Sequence, residues 1–328
     1  MTCRLASLLA LTVLLGSCGR EPRIDPNRIT IAVIPKGTTH EFWKAIHAGA
    51  VKAARELDVD IVWKGPLKED DREAQISVIE NMVRLGVRGI VLAPLDDVAM
   101  QAPVAAAVQA KVPVVIIDSG IRGKAHSSFI ATDNYKGGRM AGQCLAKLLK
   151  GKGRVVMLRY EEGSASTTAR EKGFLDAIRE YRRIKVVSAN QYGGATTETA
   201  YRASENLLAP LKKNGKLTID GIFACNESTT FGMLRALQDG GFAGKVKFVG
   251  FDSSAKLVEA LRAGTINGLI LQNPFQMGYL GVKTMVAKLR KKPVKARIDT
   301  GETLVTKANM DDPKIKELLS PNLSEWLR

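Results

Sequence analysis

The sequence is short of the residues that build metal centres and disulfide frameworks. It contains only three histidines and four cysteines in 328 residues. His40 and His47 lie seven positions apart, on one face of a predicted helix, but no third ligand stands near them in the sequence. The spacing of Cys144 and Cys225 matches no zinc pattern. A disulfide between them is one possibility, and two buried free thiols, which we favour, are the other. We therefore predict no metal site and no cofactor.

Catalytic motifs are absent as well. The run Ser164 to Thr168, "SASTT", contains no nucleophile-elbow pattern, and no histidine is placed as an evident base for it. Gly151 and Gly153 precede a predicted strand instead of following one, so they indicate a turn and not a phosphate-binding loop. Without a nucleophile, a base and a group to orient the base, the sequence predicts that the protein is not an enzyme.

Acidic residues are too few to balance the basic ones. The chain has 49 Lys and Arg against 33 Asp and Glu, which gives a formal net charge of +16. Such an excess favours nucleic-acid binding in a cytoplasmic protein, but these lysines are spread along the chain and are not clustered with aromatic residues. We expect a solvated basic surface, open to attraction by anionic lipid headgroups, and no nucleic-acid partner.

The apolar run near the start of the chain is too short to span a bilayer. Leu5 to Leu15 falls well below the roughly 20 residues that a membrane-spanning helix needs, so it indicates a signal peptide. The "LGSC" of Leu15 to Cys18 resembles a bacterial lipobox, whose cysteine is lipidated before cleavage. We predict a signal peptide over residues 1–17, a lipid anchor on Cys18 and a tether over residues 18–28. An ordinary secretory signal with an incidental cysteine is the alternative, and the chain is exported in either case.

From Ile29 onward, short apolar runs alternate with longer amphipathic ones, such as the helix predicted over Glu41 to Leu57. Apolar strands separated by helices indicate parallel sheets covered on both faces, and the length of the chain favours two domains. Two strand-like runs follow each other with no helix between them, which favours a crossing between domains near Phe129 and Ile130 over a barrel. The strand-like runs are Ile29–Pro35, Val59–Trp63, Gly89–Ala93, Val112–Asp118, Ser127–Thr132, Arg154–Leu158, Lys185–Ala189, Gly221–Ala224, Val246–Phe251 and Gly268–Leu271.

The carboxyl ends of these strands carry most of the chemistry. In open parallel sheets, ligands bind beyond those ends, where the N-termini of helices offer free amides. Nearly every end has an amide, carboxylate, hydroxyl or guanidinium group. The segments are Lys36–Trp43, Pro94–Asp97, Asp118–Ser119, Asp133–Asn134, Arg159–Arg170, Gln191–Thr196, Asn226–Ser228, Asp252–Ser254 and Gln272–Asn273. The pattern predicts a small-molecule site at the edges of the sheets.

Seven motifs at these ends resemble, in order, those of the ribose- and galactose-type periplasmic substrate-binding proteins of ABC transporters. They are "HEFW", "VPVVIIDS", "TDNYKGG", "STTAREKGF", "FACNE", "VGFDSS" and "ILQNP". The likeness covers Ile29 to Lys307. LacI-type repressors share this ligand-binding core but carry a helix-turn-helix ahead of it, where this chain has an export signal.

The resemblance implies an α/β fold of two Rossmann-like domains, joined by three crossing strands, that close over a small ligand. It places the N-terminal lobe at 29–129 plus 273–301 and the C-terminal lobe at 130–272 plus 302–328. The implied protein is a monomer in the periplasm or at the cell surface that captures a sugar or polyol and delivers it to an ABC permease. The alternative is a sensor of the same fold that presents its closed form to a receptor or sensor kinase. A hydrolase is disfavoured by the missing catalytic set.

The resemblance also assigns candidate binding residues, since sugars need aromatic plates and planar polar groups. Packing of one aromatic ring in the core and helix capping by the carboxylates are the structural alternatives. The assigned residues are Phe42, Trp43, Asp118, Asn134, Arg170, Asn226, Asp252 and Gln272.

Three further positions depart from the family pattern. Lys36 stands where a small hydroxyl residue is usual, His40 where asparagine is usual, and Ala195 where a third aromatic is common, so Tyr192 is a possible substitute. Lys36, His40 and Tyr192 join the predicted binding residues. The basic side chains of Lys36 and Arg170 could suit an acidic ligand, although we favour a neutral one. The acidic side chain of Glu227 could instead suit an amino sugar.

Overall fold

The computed structural model describes residues 24–327, so the predicted signal peptide, Cys18 and the first part of the tether lie outside the described residues. Along the described chain, most strands are short and apolar. In order they are β1 (Thr30–Ile34), β2 (Asp60–Trp63), β3 (Gly89–Leu92), β4 (Val114–Ile117), β5 (Ser128–Ala131), β6 (Lys152–Arg159), β7 (Arg183–Tyr192), β8 (Lys212–Lys213), β9 (Lys216–Leu217), β10 (Gly221–Ala224), β11 (Lys247–Phe251), β12 (Gly268–Leu271), β13 (Arg297–Asp299) and β14 (Thr303–Val305).

Helices fill most of the connections between these strands. They are α1 (Glu41–Leu57), α2 (Arg72–Arg84), α3 (Gln101–Gln109), α4 (Asn134–Leu148), α5 (Ala165–Arg179), α6 (Thr197–Leu208), α7 (Glu227–Asp239), α8 (Ala255–Ala263), α9 (Pro274–Leu289) and α10 (Pro313–Leu319), with a 3-10 turn at Ala209–Leu211. Within residues 24–327, no helix has the length and apolar character that a bilayer span requires.

The strands form two six-stranded sheets and a small hairpin of β8 and β9. The first sheet has the order β13-β5-β4-β3-β1-β2 and is parallel throughout. The second has the order β14-β12-β11-β10-β6-β7, and only the pairing of β12 with β14 is antiparallel. We call each sheet, with the helices packed on it, the first lobe and the second lobe. The α/β class with two parallel-dominated sheets, predicted from the sequence, is confirmed.

Both faces of each sheet are buried, which explains the continuous apolar runs. In β1, Ile31 and Val33 pack into one core cluster and Ala32 and Ile34 into another, because successive side chains of a strand point to opposite faces. The second lobe has a corresponding pair of clusters on its own sheet.

The chain passes between the two sheets three times, after β5, after β12 and after β13. The predicted boundary between residues 129 and 130 falls inside β5, all of which pairs in the first sheet. The predicted crossings near Gln272 and near Thr300 lie in the segments between β12 and α9 and between β13 and β14. The lobe limits themselves stay a prediction.

Helices α1 and α9 pack so closely that their backbones are in contact. This contact fixes α1 on the first sheet, and the helix starts at the carboxyl edge of that sheet. A Cβ atom on Gly49 would stand 1.9 Å from the carbonyl oxygen of Phe275, and one on Gly278 would stand 1.9 Å from that of Ile46. Neither distance is physically possible, so glycine is required at both positions. Helix α1 is therefore held firmly against α9 within the first lobe.

Candidate ligand-binding site

The carboxyl ends of the strands in both lobes meet at a small cavity of about 30 Å³, which we call the inner cavity. Its lining residues follow β1, β2 and β4 in the first lobe and β6, β10, β11 and β12 in the second. They are Lys36, His40, Phe42, Trp43, Glu69, Asp118, Tyr160, Ser166, Thr167, Arg170, Asn226, Glu227, Asp252 and Gln272. The inner cavity therefore lies where open α/β sheets bind ligands.

Glu69 is the centre of a buried polar network in the first lobe. Its Oε1 accepts a hydrogen bond from Trp43 Nε1 at 2.7 Å and pairs with His40 Nδ1. Its Oε2 accepts a hydrogen bond from the hydroxyl of Tyr160, which comes from the second lobe, at 2.8 Å. Glu69 thus fixes the orientation of the Trp43 ring and joins the two lobes through Tyr160.

His40 and Glu69 set each other's ionisation state within this network. Burial lowers the pKa of His40, but the charge and hydrogen bond of Glu69, with smaller contributions from Glu227 and Asp252, outweigh burial and raise it to about 9. Burial raises the pKa of Glu69, and the charge and hydrogen bond of His40, with the Trp43 hydrogen bond, bring it down to about 2. His40 and Glu69 therefore form an ionised pair at neutral pH.

Lys36 forms a second contact between the lobes. Its ammonium group lies 3.6 Å from Asp118 Oδ2 of the same lobe. It also donates hydrogen bonds to the hydroxyl oxygens of Ser164 and Ser166, across the cavity, at 3.1 and 3.3 Å. The charge of Lys36 is therefore already balanced by a buried carboxylate, while burial raises the pKa of Asp118 against the pull of Lys36 and Arg170.

Arg170 organises the second-lobe side of the cavity. Its Nε donates to Asn134 Oδ1 at 2.7 Å, its Nη1 donates to the carbonyl of Cys225 at 3.0 Å, and Nη1 lies 3.7 Å from Asp252 Oδ2. The guanidinium carbon stands 3.9 Å from the centre of the Phe251 ring. These contacts hold the guanidinium in one orientation beside the Asp252 carboxylate.

Asp118 and Asp252 share an unusual backbone conformation. Each follows the end of its strand with a positive φ, 61° for Asp118 and 67° for Asp252. Non-glycine residues adopt this region rarely, and aspartate is among the few side chains that tolerate it. Strain of this kind concentrates at functional sites. The conformation places one buried carboxylate from each lobe at the cavity.

Glu227 caps a helix of the opposite lobe. The N-cap residue of α1, His40, makes no side-chain capping bond. The free N–H groups of Glu41 and Phe42 donate instead to the Glu227 carboxylate, at 3.4 and 3.3 Å. Burial raises the pKa of Glu227 to about 7, the His40 charge opposing and the Asp252 charge adding to the rise. The N-terminus of α1 is thus completed by the second lobe.

Comparison with known proteins identifies the family. A family model described as the periplasmic binding protein domain matches residues 31–293. The chain belongs to this family. Among curated relatives, the ribose import binding protein of Haemophilus influenzae is 30% identical over 269 residues, which is 82% of this chain and 88% of that protein. The D-allose-binding periplasmic protein of Escherichia coli is 28% identical and covers 78% of this chain and 83% of that protein.

Two solved structures resemble this fold over 90% and 89% of the chain. A carbohydrate transporter solute-binding protein from Agrobacterium radiobacter, in complex with D-arabinose, has a TM-score of 0.85 and 38% identity, covering 90% of this chain and all of that one. An ABC transporter solute-binding protein from Agrobacterium vitis with bound D-fucose has a TM-score of 0.84 and 35% identity, covering 89% of this chain. The predicted family is confirmed, and the chain is a substrate-binding protein, not an enzyme.

Nine of the predicted binding residues of this periplasmic binding protein line the inner cavity. They are Lys36, His40, Phe42, Trp43, Asp118, Arg170, Asn226, Asp252 and Gln272. The adjacent aromatic rings of Phe42 and Trp43 meet edge to face, with centroids 5.0 Å apart, and both also belong to the core cluster beneath α1. Each of the two residues therefore packs in the core and also lines the cavity. Their contact with a ligand stays a prediction.

Asn134 and Tyr192 do not reach the lining of the inner cavity. Asn134 is buried behind Arg170, where its Nδ2 also donates to the carbonyls of Asp118 and Thr132. Tyr192 lies under the guanidinium of Arg159, whose carbon is 4.5 Å from the ring centre. The structure thus places Asn134 as a support for Arg170 and Tyr192 at the carboxyl end of β7. Direct ligand contact by either residue stays a prediction.

The binding-residue prediction did not include Glu69, Tyr160, Ser166, Thr167 or Glu227, although all of them line the inner cavity. The segment Arg159 to Arg170 had been noted as a strand end, so position alone could have included Tyr160 and the two hydroxyl residues. Glu69 stands in the acidic run "KEDD" after β2, an end that the prediction omitted. The position of Glu69 after the carboxyl end of β2 could have marked it as a candidate.

Metal and disulfide chemistry contribute nothing to the part of the chain that the structure describes. No group of three or more His, Cys, Asp and Glu side chains between residues 24 and 327 is arranged to hold a metal ion. Cys144 and Cys225 are both buried and unpaired. Of the two arrangements that the sequence leaves open, the structure has free thiols.

The pair of His40 and Glu69 predicts a pH-dependent stability. Because the folded protein raises the pKa of His40 from 6.5 to about 9, the stabilising contribution is complete below pH 6.5 and is lost as the pH rises through 9. The advantage of the wild type over His40→Gln should shrink by up to about 3 kcal/mol across this range. Urea unfolding of both proteins at several pH values measures it.

The matched control is His47→Gln in the same helix. Burial lowers the pKa of His47, so His47 is neutral in both the folded and the unfolded chain at alkaline pH. Its substitution should therefore change stability by a constant amount above about pH 7.5, where only about a tenth of an unperturbed histidine is still protonated. If the difference in free energy of unfolding between wild type and His40→Gln also stays constant over this pH range, His40 and Glu69 do not form an ionised pair.

Proposed function

We propose that this periplasmic binding protein captures a small neutral sugar or polyol between its two lobes, against the residues that line the inner cavity, and delivers it, after export and lipid attachment at Cys18, to an ABC permease. The observation that carries the proposal is the pairing of two strained, buried carboxylates, Asp118 and Asp252, with the aromatic side chains of Phe42 and Trp43 around one cavity. Carboxylates accept two hydroxyl hydrogen bonds each, and aromatic rings pack against the C–H face of a sugar ring.

The side-chain amide of Gln272 has an oxygen without a hydrogen-bond partner in the described chain, which supports a polar ligand. Gln272 is 4% exposed, and its Nε2 donates to Asp252 Oδ1 at 2.7 Å. Its Oε1 has no hydrogen-bond partner among the described residues. Buried polar atoms nearly always have a partner, and one without a partner costs about 1–3 kcal/mol. A ligand hydroxyl that donates to Gln272 Oε1 would remove this cost.

The balance of charge favours a neutral ligand over a sugar acid. Three cations line the inner cavity, namely Lys36, His40 and Arg170, and each faces a carboxylate, of Asp118, Glu69 and Asp252 respectively. An anionic ligand would have to displace one of these carboxylates or lie beside Glu227. A neutral polyol can instead bond to the oxygens that the cations hold in place.

Contacts across the cavity support a mechanism of lobe closure. Lys36, Tyr160 and Glu227 each bond to the opposite lobe. A ligand that bonds to both lobes adds to these contacts only in the closed form, and therefore shifts the equilibrium between open and closed forms towards closure. The closed form is then the state that a permease would recognise.

The relatives support a sugar as ligand and a permease as partner, and the start of the chain supports the lipid anchor. Curated relatives are named for ribose and allose, and structural relatives hold D-arabinose and D-fucose. A permease as partner follows from the description of the Agrobacterium vitis relative as an ABC transporter protein. Lipid attachment rests on the "LGSC" of Leu15 to Cys18.

A thermal-shift screen tests the proposal. Pentoses, hexoses, inositols, amino sugars, sugar acids and amino acids are each added to the purified protein. A ligand at a hundred times its dissociation constant should add about 2.7 kcal/mol to the stability of the folded state, and the largest shifts should come from neutral sugars or polyols. A panel in which only amino acids raise the melting temperature would overturn the sugar assignment, and one in which sugar acids give the largest shifts would overturn the neutral ligand.

A further inference from the structure

The chain between α9 and β13 is a dense run of positive charge. Residues 288–295 contain five basic side chains and no acidic one, and all five are exposed. They are Lys288, Arg290, Lys291, Lys292 and Lys295. We call residues 288–295 the basic segment. None of its side chains forms an ion pair with another residue between 24 and 327. Its charge is therefore available to a partner outside the chain.

The basic segment lies at the amino edge of the first sheet. Arg290 donates a hydrogen bond to the carbonyl of Leu57, at the end of α1, at 3.3 Å. The hydroxyl of Ser128, at the start of β5, donates to the carbonyl of Lys295 at 2.7 Å. The segment thus runs beneath the sheet from the end of α1 to the start of β5. The inner cavity is at the opposite, carboxyl edge of the same sheet.

The chain enters the first lobe at this amino edge. Arg28, two residues before β1, pairs at 2.9 Å with Asp58, which follows the residue that Arg290 contacts, and at 2.9 Å with Asp60 at the start of β2. The carboxylates of this region are those of Asp25, Asp58 and Asp60, and Arg28 balances one of them. The entry of the chain and the basic segment are therefore neighbours on an edge that stays positively charged.

The predicted lipid anchor keeps this edge close to a bilayer. Cys18 precedes Ile24, the first described residue, by six positions. Six residues span at most about 22 Å, whatever their conformation. Ile24 itself packs on the core of the first lobe. A membrane that holds the lipid on Cys18 therefore lies within this short distance of the first lobe, and the second lobe stands on the far side of the cleft.

An anionic bilayer suits the basic segment better than other polyanions. Each Lys or Arg near an anionic membrane surface contributes about 1 kcal/mol, but only within the screening length of about 8 Å. The short tether brings the surface within this reach. Exposed Arg88 and Lys111, before β3 and β4, add positive charge at the same edge. Residues 288–295 contain no aromatic side chain on which a nucleic-acid base could stack.

We infer that the basic segment binds the anionic surface of the membrane that carries the lipid anchor. The first lobe then stands on the bilayer by its amino edge, with the cleft directed away from the membrane and accessible to sugar. The second lobe is the one that moves when a ligand closes the two lobes. This inference rests on the lipid attachment in the proposed function and adds a binding surface and an orientation to it.

Lysine acetylation of the anchored protein tests this orientation. The chain from residue 18 onward contains both lobes, and its Cys18 thiol can be coupled to a maleimide lipid because Cys144 and Cys225 are buried. The vesicles contain phosphatidylcholine alone or with about one third phosphatidylglycerol. The lysines of the basic segment should react about tenfold more slowly on the anionic vesicles, which corresponds to 1.4 kcal/mol. Lys213 and Lys216, exposed on the hairpin of the second lobe, should react equally on both.

Two matched double variants separate the basic segment from the charge of the whole protein. Lys291→Gln with Lys292→Gln removes about 30-fold of membrane affinity, at about 1 kcal/mol per charge, and should restore the acetylation rate of Lys295 on anionic vesicles. Lys213→Gln with Lys216→Gln removes the same charge from the hairpin and should leave Lys295 slow. All four lysines are exposed, so both variants should keep the melting temperature of the wild type.

Equal acetylation of Lys295 on the two kinds of vesicle, or slower acetylation of the hairpin lysines instead, would overturn the inference. Tighter binding of the free protein to a single-stranded oligonucleotide than to the anionic vesicles would overturn it as well. Sugar-induced thermal shifts should be the same in all variants, so these results leave the proposed sugar binding standing. A mature protein whose mass shows no acyl group on Cys18 would remove the anchor from the proposed function, and this orientation with it.

Discussion

Replacing Arg170 with methionine is expected to lower the free energy of unfolding by about 3–5 kcal/mol, the range for removing one partner of a buried ion pair, and to abolish measurable sugar binding. Arg170 is 2% exposed, and its guanidinium bonds to Asn134 and to the carbonyl of Cys225 and faces Asp252. Methionine fills a similar volume but leaves three buried oxygens without their cation. Loss of the Arg170 charge should also raise the pKa of Asp252 further, since burial already raises it and the Arg170 charge opposes that rise.

Urea unfolding and calorimetric titration measure the two effects. The matched control is Arg139→Met on α4, since Arg139 pairs with the half-exposed Glu180 at the surface. Exposed ion pairs contribute about 0–1 kcal/mol, so this control should keep both stability and affinity. Equal stability of the Arg170 and Arg139 variants would contradict the account of Arg170 as the cation that holds the second-lobe side of the cavity.

Most of the fold was predictable from the sequence because its strands are buried on both faces. Glu41 to Leu57 was predicted as a helix, and α1 has these bounds. The predicted run Gly221–Ala224 coincides with β10, and most of the other predicted strands differ from the observed ones by one or two residues at an end. A continuous apolar run bounded by polar residues is a strong indication of a buried strand. The sequence has such runs because the sheets are mostly parallel and are covered by helices.

The short edge strands were not predicted. β13 and β14 have three residues each, Arg297–Asp299 and Thr303–Val305, and the strands of the small hairpin have two each. Segments of this length show no periodicity. β13 and β14 become strands because the edges of β5 and β12 offer unpaired backbone groups, which is a property of the tertiary structure.

The site was predictable where a residue ends a strand, and not where its role depends on the opposite lobe. Asp118 and Asp252 are identified by position. Glu69 stands in an acidic run, and nothing in that run distinguishes it from its neighbour Asp70. Its role follows from contacts with Trp43, 26 positions away, and with Tyr160, 91 positions away. Tyr192 is a different case: its aromatic character suggested a stacking role, and because it lies at the carboxyl end of β7 but outside the lining of the inner cavity, this role stays a prediction.

The second large effect is expected from Asp252→Asn. Asparagine has the shape of aspartate and also tolerates a positive φ, so the backbone at this position, where φ is 67°, can stay as it is. The amide can still accept the bond that Gln272 Nε2 gives to Asp252 Oδ1. What it loses is the charge that faces Arg170 and that strengthens hydrogen bonds to sugar hydroxyls, and such bonds are worth about 1.5–3 kcal/mol. Sugar affinity should therefore fall by roughly 10- to 150-fold, while the protein remains folded.

Calorimetric titration of Asp252→Asn with the sugar that gives the largest thermal shift is the most direct test of the inner cavity as the ligand site. The control is Asp311→Asn, in which an exposed carboxylate of the same lobe is neutralised in the same way. Our account predicts a dissociation constant raised at least about tenfold for Asp252→Asn and one equal to wild type for Asp311→Asn. Equal dissociation constants for the two variants would contradict it, because the sugar would then bind at a place where Asp252 makes no contact.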